Sequence, residues 1–444
     1  MTNYFSKFKF INPEVGPNYQ FGDSVTALRT ILLPFSYNLG TYETRVKNWF
    51  QKRYGVKNIW LTDTCRGGIY LLLKSLNLDS DSEVLVQGFS CIVVPNSVLQ
   101  AGLKPISCDI SKIDFNFDLE KIESKITKKT KVWIIQHNFG LVSNIPKILD
   151  ICQRYNLILI EDCAHSLGAK FTLDDKEYEV GNIGNAAVFS FGRDKIISTT
   201  SGGLTIINPN SLVSKKSETK LDYSGWICEL EKNYSLLENT SKSKSLQFLL
   251  YPILFIFFIK PFYHFGLGKL VAWLNNRFRL TGEVYTNSEK KAISMEFPVP
   301  QKYSRNLYPL LWNQLQKVDI YNSHRRNLAK IYTSELNLPF NKNNVYLRFP
   351  LYLGDFTKSE NLEKNQTLYK NIKINLRKNG IFIGTWYNAV FLGSTIKNEH
   401  IYGYKKVDLP NIDNLISNQV INLPTNINTT ISDAKRIIHI IKNL

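Results

Sequence analysis

The sequence predicts an α/β protein. Its large domain has a mainly parallel central sheet flanked by helices, and a smaller α+β domain follows toward the C-terminus. Between residues 57 and 206, short apolar runs of strand length alternate with stretches of helical periodicity. This alternation is typical of parallel sheets that carry helices on both faces. The chain has 444 residues, of which 43% are hydrophobic, so it is long and apolar enough for one large core and a second, smaller one.

Seven strands are predicted in the large domain from apolar runs of four to six residues. They are Asn58–Leu61, Glu83–Gln87, Pro105–Asp109, Lys131–Gln136, Leu157–Ile160, Ala187–Phe191 and Gly203–Ile207. Helical patterns lie between several of them, at Gly67–Leu76, Val94–Ala101 and Ile145–Tyr155. Ligands of such sheets bind beyond the carboxyl ends of the strands. Residues that follow a strand directly are therefore the first candidates for a functional site.

The second half of the chain is less regular. Residues 208–245 are polar and rich in Ser, Lys and Asn, which predicts a loop or a poorly ordered stretch. The region Leu307–Leu336 is predicted to be helical, with a break near Asp319. Two predicted strands and a C-terminal amphipathic helix follow, at Tyr346–Tyr352, Phe382–Ile383 and Ile431–Ile441. We therefore divide the chain into a large domain at 1–207 with an N-terminal arm at about 1–30, an insertion at 208–285, and a smaller domain at 286–444.

The insertion contains an uncharged run of fourteen residues, Leu246–Ile259. A membrane-spanning helix needs about 20 apolar residues, so this run is short for a span, and Pro252 interrupts it. Lysines flank the run, and the amphipathic rings of Tyr263 and Trp273 follow it. Residues 246–274 are therefore interpreted in one of two ways: as a helical hairpin in the interface of a membrane, or as a buried or dimer-contact helix of an enlarged domain.

Composition limits the partners that the chain can have. The net charge of +18 suits an anionic partner, such as a phosphorylated substrate or an acidic lipid. No helix-turn-helix or zinc-finger pattern accompanies the basic residues, so a nucleic-acid partner is not predicted. The six cysteines have no CxxC spacing, and the N-terminus has no apolar signal core, which together predict a cytoplasmic protein with reduced thiols. The scattered histidines predict no metal site.

Two polar residues follow predicted strands in the arrangement that pyridoxal phosphate (PLP) chemistry needs. Asp162 lies just past Leu157–Ile160, and Lys195 lies just past Ala187–Phe191, so both side chains can reach one cleft at the carboxyl edge of the sheet. In PLP enzymes a lysine forms a Schiff base with the cofactor. An acid keeps the pyridine nitrogen protonated, so that the ring takes up electrons. The pair indicates a PLP-dependent enzyme.

Several short motifs follow one another along the chain in a characteristic order and spacing. In the first half they are Thr64-Cys65-Arg66-Gly67-Gly68, Phe89-Ser90-Cys91 with Pro95-Asn96, Ala101-Gly102-Leu103-Lys104-Pro105, His137-Asn138-Phe139-Gly140, Glu161-Asp162-Cys163-Ala164-His165, and Phe189-Ser190-Phe191 through Lys195 to Gly202-Gly203. Near the end they are Gly380-Ile381, Gly384-Thr385-Trp386-Tyr387 and Asn422-Leu423-Pro424-Thr425. Together they resemble the DegT/StrS-type sugar-nucleotide aminotransferases, which have the aspartate-aminotransferase fold. The resemblance covers most of the chain except about 208–300.

The resemblance implies roles for four residues. Lys195 would be the Schiff-base lysine and would move the proton between the substrate carbon and the cofactor. Asp162 would pair with the pyridinium nitrogen, and Ser190 would donate its hydroxyl to the cofactor phosphate. His165 would lie near the phenolic oxygen of the cofactor or over its ring. The structural alternatives are a surface position for Lys195, a helix N-cap for Asp162 and a core position for His165.

The resemblance also places the phosphate and the ring. Residues Cys65–Gly68 would hold the phosphate with the amides and the positive end of a helix. Arg66 stands where a small hydroxyl residue is more usual, so it either adds a direct charge to the phosphate or points outward. The usual ring-stacking aromatic aligns with Cys91, and Phe89 is a candidate substitute two residues earlier. The candidate cofactor-binding residues are thus Cys65, Arg66, Gly67, Phe89, Cys91, Asp162, His165 and Ser190.

The implied function is transfer of an amino group, with glutamate as donor, to a nucleotide-linked keto-sugar for cell-surface glycan biosynthesis. A sugar dehydratase of the same fold is one alternative, but those relatives replace the lysine that this chain keeps as Lys195. A catalytically inactive scaffold is the other alternative, and the intact set of Asp162, Ser190 and Lys195 argues against it. The resemblance implies a homodimer. The apolar run adds the hypothesis that 246–274 contacts the inner face of the cell membrane.

Overall fold

Strands and helices alternate through the first half of the chain, and helices dominate the second half. In the computed structural model the described residues are 10–16, 18–33, 36–216, 221–283, 285–291, 297–394, 399–416 and 419–444. The strands are β1 (Asn58–Thr62), β2 (Glu83–Gln87), β3 (Lys104–Cys108), β4 (Thr130–Gln136), β5 (Ile158–Asp162), β6 (Lys170–Leu173), β7 (Lys176–Glu179), β8 (Ala186–Ser190), β9 (Gly203–Ile207), β10 (Phe349–Tyr352) and β11 (Val420–Leu423). The helices are α1 (Phe21–Leu32), α2 (Leu39–Tyr54), α3 (Cys65–Lys74), α4 (Val93–Gln100), α5 (Ile145–Tyr155), α6 (Leu212–Lys216), α7 (Tyr223–Ser235), α8 (Lys242–Leu254), α9 (Lys260–Phe262), α10 (Leu267–Phe278), α11 (Asn287–Lys291), α12 (Tyr308–Leu315), α13 (Val318–Leu336), α14 (Leu353–Thr357), α15 (Leu362–Lys378), α16 (Pro410–Ile416) and α17 (Ile431–Lys442). A π-helical turn, Phe255–Ile259, joins α8 to α9.

Seven strands in the described part of the chain form the central sheet, in the order β1-β9-β8-β5-β4-β2-β3. Neighbours from β8 to β3 are parallel, and only β9 runs against the strands beside it. The predicted fold class, a mainly parallel sheet flanked by helices, is thus confirmed. β5 and β8 are neighbours, with Asp162 paired to Val188, so both strands end at the same edge of the sheet.

Both faces of the sheet are buried, because successive side chains of each strand point to opposite sides. In β2, Val84 and Val86 belong to the core on one face, and Leu85 belongs to the core on the other. β4 divides in the same way, with Val132 on the first face and Trp133 on the second. Residues of α3, α4 and α7 complete the first core, and residues of α2 and α5 contribute to the second.

The elements predicted for the large domain lie close to the observed ones. Glu83–Gln87, Gly203–Ile207 and Ile145–Tyr155 have the predicted bounds, and the other strands and helices differ by one or two residues at an end. The hairpin of β6 and β7 was not predicted, since each strand has only four residues and its side chains are partly exposed. Of the N-terminal arm, residues 1–9 and 17 lie outside the described residues.

The polar segment 208–245 was predicted to be a loop or a poorly ordered stretch, but its described residues contain α6, α7 and the start of α8. Residues 217–220 lie outside the described residues. The helix α7 begins at an Asp222 N-cap and buries two side chains, Trp226 and Leu230, one turn apart. Two buried residues give too weak an apolar period to be visible in a polar composition, which is why the prediction was wrong.

The C-terminal region is an α+β unit as predicted. β10 and β11 pair antiparallel, and α17 packs against both α13 and α15. The predicted strand Phe382–Ile383 is wrong. The residues on either side of it form isolated bridges, Ile381 with Ile11 and Gly384 with Asn422, and the two residues between them are not in a strand. The predicted helical break lies between α12 and α13, at residues 316–317. The domain boundaries at 207 and 285 stay a prediction.

Candidate active site

A cavity of about 320 Å³ opens at the carboxyl ends of β5 and β8. This volume lies at the lower end of the range typical of small-ligand pockets. Seven of the nine predicted site residues line it: Cys65, Arg66, Cys91, Asp162, His165, Ser190 and Lys195. The cavity therefore lies where the strand ends had placed the candidate site.

The loop that carries Lys195 is held by backbone contacts from distant parts of the chain. The Asn18 side-chain amide donates a hydrogen bond to the carbonyl of Lys195. The guanidinium of Arg325 donates to the next carbonyl, that of Ile196, at 3.0 Å and to Asn18 Oδ1 at 2.8 Å. Arg325 is fully buried, and burial lowers the pKa of its guanidinium to about 10, which leaves it charged at neutral pH. Residues 18 and 325 thus fix the backbone from which the lysine side chain extends.

Asp162 is the last residue of β5, and its carboxylate is buried. The carboxylate accepts a hydrogen bond from the Ala164 backbone N–H at 3.0 Å. Burial raises the pKa of Asp162, and the nearby Lys195 and His137 offset only part of this increase. A buried carboxylate with a raised pKa is stabilised by a cation placed against it, so this residue is suited to pair with a protonated group of a ligand.

The His165 ring stacks on the indole of Trp386, with ring centres 4.5 Å apart and planes inclined by 10°. Its Nδ1 accepts a hydrogen bond from the Phe139 backbone N–H at 3.3 Å. The proton of the neutral ring is therefore on Nε2, which lies 3.4 Å from the hydroxyl of Tyr387. Burial lowers the pKa of His165 well below 6.5, and the positive charges of Lys195 and Arg348 lower it further. His165 is a neutral donor in this site.

The neutral state of His165 gives a testable pH dependence. Below about pH 6.5 the unfolded chain protonates this histidine, whereas the folded protein keeps it neutral. The stability from the buried neutral ring is therefore present above that pH and is lost as the pH falls. We expect the wild-type melting temperature to fall between about pH 7 and about pH 5, and to fall less in His165→Gln. His439→Gln, on the exposed surface of α17, is the control and should follow the wild type. Parallel curves for wild type and His165→Gln would contradict the assignment.

The N-terminus of α3 faces the cavity and is suited to an anion. The N-cap Thr64 accepts a hydrogen bond from the Gly67 N–H at 3.3 Å, which begins the helix, and Cys65 and Arg66 of its first turn line the cavity. Gly67 itself does not line it. A Cβ at Gly67 would lie only 2.7 Å from Cβ of Pro300, so the helix packs too closely there for a side chain. The hydroxyl of Ser190 also lines the cavity and accepts a hydrogen bond from the Gly192 N–H at 3.4 Å.

Arg66 is engaged by a residue that the sequence did not indicate. Its guanidinium forms an ion pair with the buried carboxylate of Glu289 in α11. The same carboxylate accepts hydrogen bonds from the Thr286 N–H at 2.7 Å and hydroxyl at 3.0 Å. The sequence left two orientations open for Arg66, toward the phosphate or outward. The Arg66 side chain lines the cavity, and the carboxylate of Glu289 balances its charge there.

The two predicted ring-stacking candidates have different positions. Phe89 does not line the cavity: it is fully buried, and its ring packs against Phe139 and Tyr387 in the core. Cys91 does line the cavity, and its Sγ lies 3.3 Å from the hydroxyl of Tyr285. The aromatic side chains that do line the cavity are Phe248, Tyr251, Tyr285, Trp386 and Tyr387.

Helices after Lys195 form one wall of the cavity. Phe248, Tyr251 and Ile259 from α8 and its π-helical turn, and Asn275 from α10, line this wall. Arg193 joins it to the lysine loop: its guanidinium lies 4.4 Å from the centre of the Tyr251 ring and donates to the Gly282 carbonyl at 2.8 Å. Sequence reasoning missed these residues, because the apolar period of α8 indicates a helix but not which of its faces meets the site.

Comparison with known proteins shows what the chain is similar to in sequence and in fold. Residues 23–235 match the model of the DegT/DnrJ/EryC1/StrS aminotransferase family. A GDP-perosamine synthase of Caulobacter vibrioides is 30% identical over 178 residues, which are 40% of this chain and 47% of that protein. A putative L-glutamine:3-amino-2,3-dideoxy-scyllo-inosose aminotransferase of Micromonospora echinospora is 30% identical over 200 residues, which are 44% of this chain and 45% of that protein. The chain thus spans a little under half the length of these curated relatives.

Solved structures resemble the chain over nearly its whole length. The aminotransferase PseC of Helicobacter pylori, involved in pseudoaminic acid biosynthesis, superposes with a TM-score of 0.69 at 17% identity, over 98% of this chain and 99% of that one. The PLP form of the putative sugar aminotransferase Spr1654 of Streptococcus pneumoniae has a TM-score of 0.67 at 15% identity, over 98% of both chains. At these identities the likeness shows the fold. It extends through the second half of the chain, where the family model does not match.

Proposed function

We propose that this chain, whose residues 23–235 match the model of the DegT/DnrJ/EryC1/StrS aminotransferase family, is a PLP-dependent enzyme of that family that transfers an amino group to a sugar. One observation carries the proposal: the Lys195 side chain and the buried Asp162 carboxylate, from the ends of two adjacent strands, line the same cavity. A scaffold has no chemical need for a buried carboxylate and a lysine in one pocket.

The residues present fit PLP. Asp162 would pair with the protonated ring nitrogen, which would relieve the cost of its buried charge. The N-terminus of α3 and the hydroxyl of Ser190 would hold the phosphate, and His165 would donate from Nε2 toward the phenolic oxygen. When bound, the cofactor supplies an aldehyde that combines with amines and a ring that takes up electrons.

The chain's own residues then do three things. Lys195 would hold the proton at Nζ while the proton moves between the substrate carbon and the cofactor. Asn18 and Arg325 keep the lysine backbone in place, so that Nζ returns to the same position in each cycle. The wall that contains Phe248 and Tyr251 keeps water from the reacting atoms.

We propose glutamate as the amino donor and a nucleotide-linked keto-sugar as the acceptor, in cell-surface glycan biosynthesis. The names of relatives support this class: GDP-perosamine synthase, and the Bacillus subtilis spore coat polysaccharide biosynthesis protein SpsC, 27% identical over 170 residues. The net charge of +18 would attract a diphosphate. A cytoplasmic homodimer, with 246–274 in peripheral contact with the inner face of the cell membrane, belongs to the same proposal.

The visible spectrum of protein purified with PLP tests the proposal. We expect an absorption band of lysine-bound cofactor that disappears on addition of L-glutamate and returns when a GDP-linked keto-sugar is added. If L-glutamine bleaches the band and L-glutamate does not, glutamine is the amino donor and the proposed type of reaction stands. Bleaching by either donor without recovery on any nucleotide-linked keto-sugar would overturn the acceptor class. If the band is absent while Lys195 is intact, the assignment as an enzyme is overturned and the catalytically inactive scaffold is favoured.

A further inference from the structure

The helix α1 exposes a continuous apolar stripe. Its exposed large side chains, Phe21, Val25, Leu28 and Leu32, recur every three or four residues and so lie on one face of the helix. The opposite face is buried against the protein. Phe21 is 63% exposed and Leu32 is 66% exposed, although both are large apolar residues that folding would normally bury.

A second exposed apolar stripe lies on α10. Leu267, Leu270, Trp273 and Phe278 are all exposed, with Trp273 at 58%, whereas Asn275 on the other side is buried toward the cavity. An indole on the surface of a globular protein is unusual unless a partner covers it. Val271 and Ala272 of α10 pack against the core, so the exposed apolar residues form a second apolar side of this helix in addition to the buried one.

The two stripes are joined by the helix between them. The rings of Phe21 in α1 and Phe257 in the π-helical turn are in edge contact, with centres 5.7 Å apart. The Ser24 hydroxyl donates to the Pro252 carbonyl at 2.8 Å, and α10 packs against the same π-helical turn. We call the surface formed by the exposed apolar residues of α1, of Phe257 and Phe258, and of α10 the apolar face.

The segment 241–282, which supplies Phe257, Phe258 and α10 to the apolar face, carries charge of one sign. Residues 241–282 contain six Lys and Arg and no Asp or Glu. Two of the six are balanced within the protein, Lys244 by Asp63 and Arg279 by Glu283. Lys242, Lys269 and Arg277 are exposed beside the apolar residues. Apolar and aromatic residues edged by cations are the composition of helices that lie in a membrane interface.

We propose that the apolar face docks in the plane of a lipid bilayer that carries anionic headgroups. A second copy of the chain is the competing occupant, but in a two-fold dimer the same patch meets itself, and its cations would then face like charges. An anionic bilayer complements both the apolar rings and the cations. The inference specifies the face and lipid chemistry of the proposed peripheral contact, and it holds whether or not the protein transfers amino groups.

The bilayer would be touched and not crossed. Among the described residues, the stretch Lys242–Phe262 is long and apolar enough to span a membrane, but 39% of its most apolar window is buried in the protein. Tyr251, Phe255 and Ile259 are core residues that pack with Tyr19 and Phe10 of the N-terminal segment. A helix with one side in the protein core cannot be surrounded by lipid. The helices α8 and α10 therefore lie flat, with the cavity on one side and the bilayer on the other.

Flotation of the full-length, PLP-loaded protein with vesicles tests this docking. We expect it to float with phosphatidylcholine vesicles that contain phosphatidylglycerol, and to float less with phosphatidylcholine alone or at high salt. The double variant Leu270→Ser, Trp273→Ser should lose at least about tenfold in partitioning, because two buried apolar side chains are removed from the lipid. Ile113→Ser, which is 88% exposed and follows β3 at the edge of the central sheet, is the matched control and should float as the wild type does.

Two outcomes would overturn the docking. The first is that wild-type protein with an intact cofactor spectrum stays at the bottom of the gradient with both kinds of vesicle. The second is that light scattering shows a wild-type dimer that the double variant converts to monomer, with no flotation of either. A second copy would then cover the face. Because the spectrum is recorded on the same samples, loss of flotation is distinguishable from loss of the cofactor site.

Discussion

Replacing Lys195 by alanine is expected to lower the rate of amino transfer at least about 10³-fold, because the variant loses both the covalent link to the cofactor and the base that moves the proton. The absorption band of lysine-bound cofactor should be absent. The fold should be kept, since the loop is held through the backbone carbonyls of residues 195 and 196 and not through the lysine side chain. Stopped-flow or steady-state rates with L-glutamate and the visible spectrum of the same preparation provide the measurement.

A second lysine offers a matched control. The amine of Lys302 lies 5.6 Å from the centre of the Tyr234 ring, much as the amine of Lys195 lies 4.5 Å from that of Trp386, but Lys302 is not among the residues that line the cavity. Lys302→Ala should keep the spectrum and the rate. Equal losses in the two variants would mean that the effect of Lys195→Ala is general destabilisation, and turnover retained by Lys195→Ala would remove it from the chemistry.

The part of the site that the sequence predicts is the part that the central sheet positions. Asp162 and Lys195 follow apolar runs whose strand character is clear from composition. Parallel strands bring their carboxyl ends to one edge whatever the rest of the chain does. The N-terminus of α3 is predictable for the same reason, since Thr64 and the glycines after it stand directly behind β1. These placements depend only on local pattern and on a general rule of parallel sheets.

The remaining residues of the site come from contacts that no local pattern encodes. Glu289 reaches Arg66 across 223 positions of sequence, and Tyr285 reaches Cys91 across 194. Phe89 shows the converse: its place in a motif predicted a cofactor contact, but its ring fills the core between its neighbours. Whether an apolar or aromatic side chain lines a cavity or a core depends on packing in three dimensions, which hydrophobic periodicity does not specify.

Asp162→Asn is expected to lower the rate of amino transfer about 10²-fold or more, because the neutral amide no longer stabilises positive charge on the ring nitrogen. The stability of the cofactor-free variant, in contrast to its rate, should not fall. Burial raises the pKa of Asp162 in the folded protein. The cofactor-free wild type therefore loses stability as the pH rises from the pKa of the unfolded chain to that of the folded protein. The loss is complete above both values. The cofactor-free variant lacks that cost. At neutral pH it should melt no lower than the cofactor-free wild type, and PLP should raise its melting temperature less.

Asp109 separates this effect from the general cost of a lost buried carboxylate. It follows β3 directly, is buried, and accepts hydrogen bonds from the N–H groups of Asn411 and Ile412 at 3.0 Å each, so its role is to hold the first turn of α16. Asp109→Asn cannot accept both bonds through its single carbonyl oxygen in the same way. It should lose about 1–3 kcal/mol of stability with and without PLP alike. If Asp162→Asn behaved like Asp109→Asn, with equal loss in both forms and an unchanged shift on adding PLP, Asp162 would be a structural carboxylate and not the partner of the ring nitrogen.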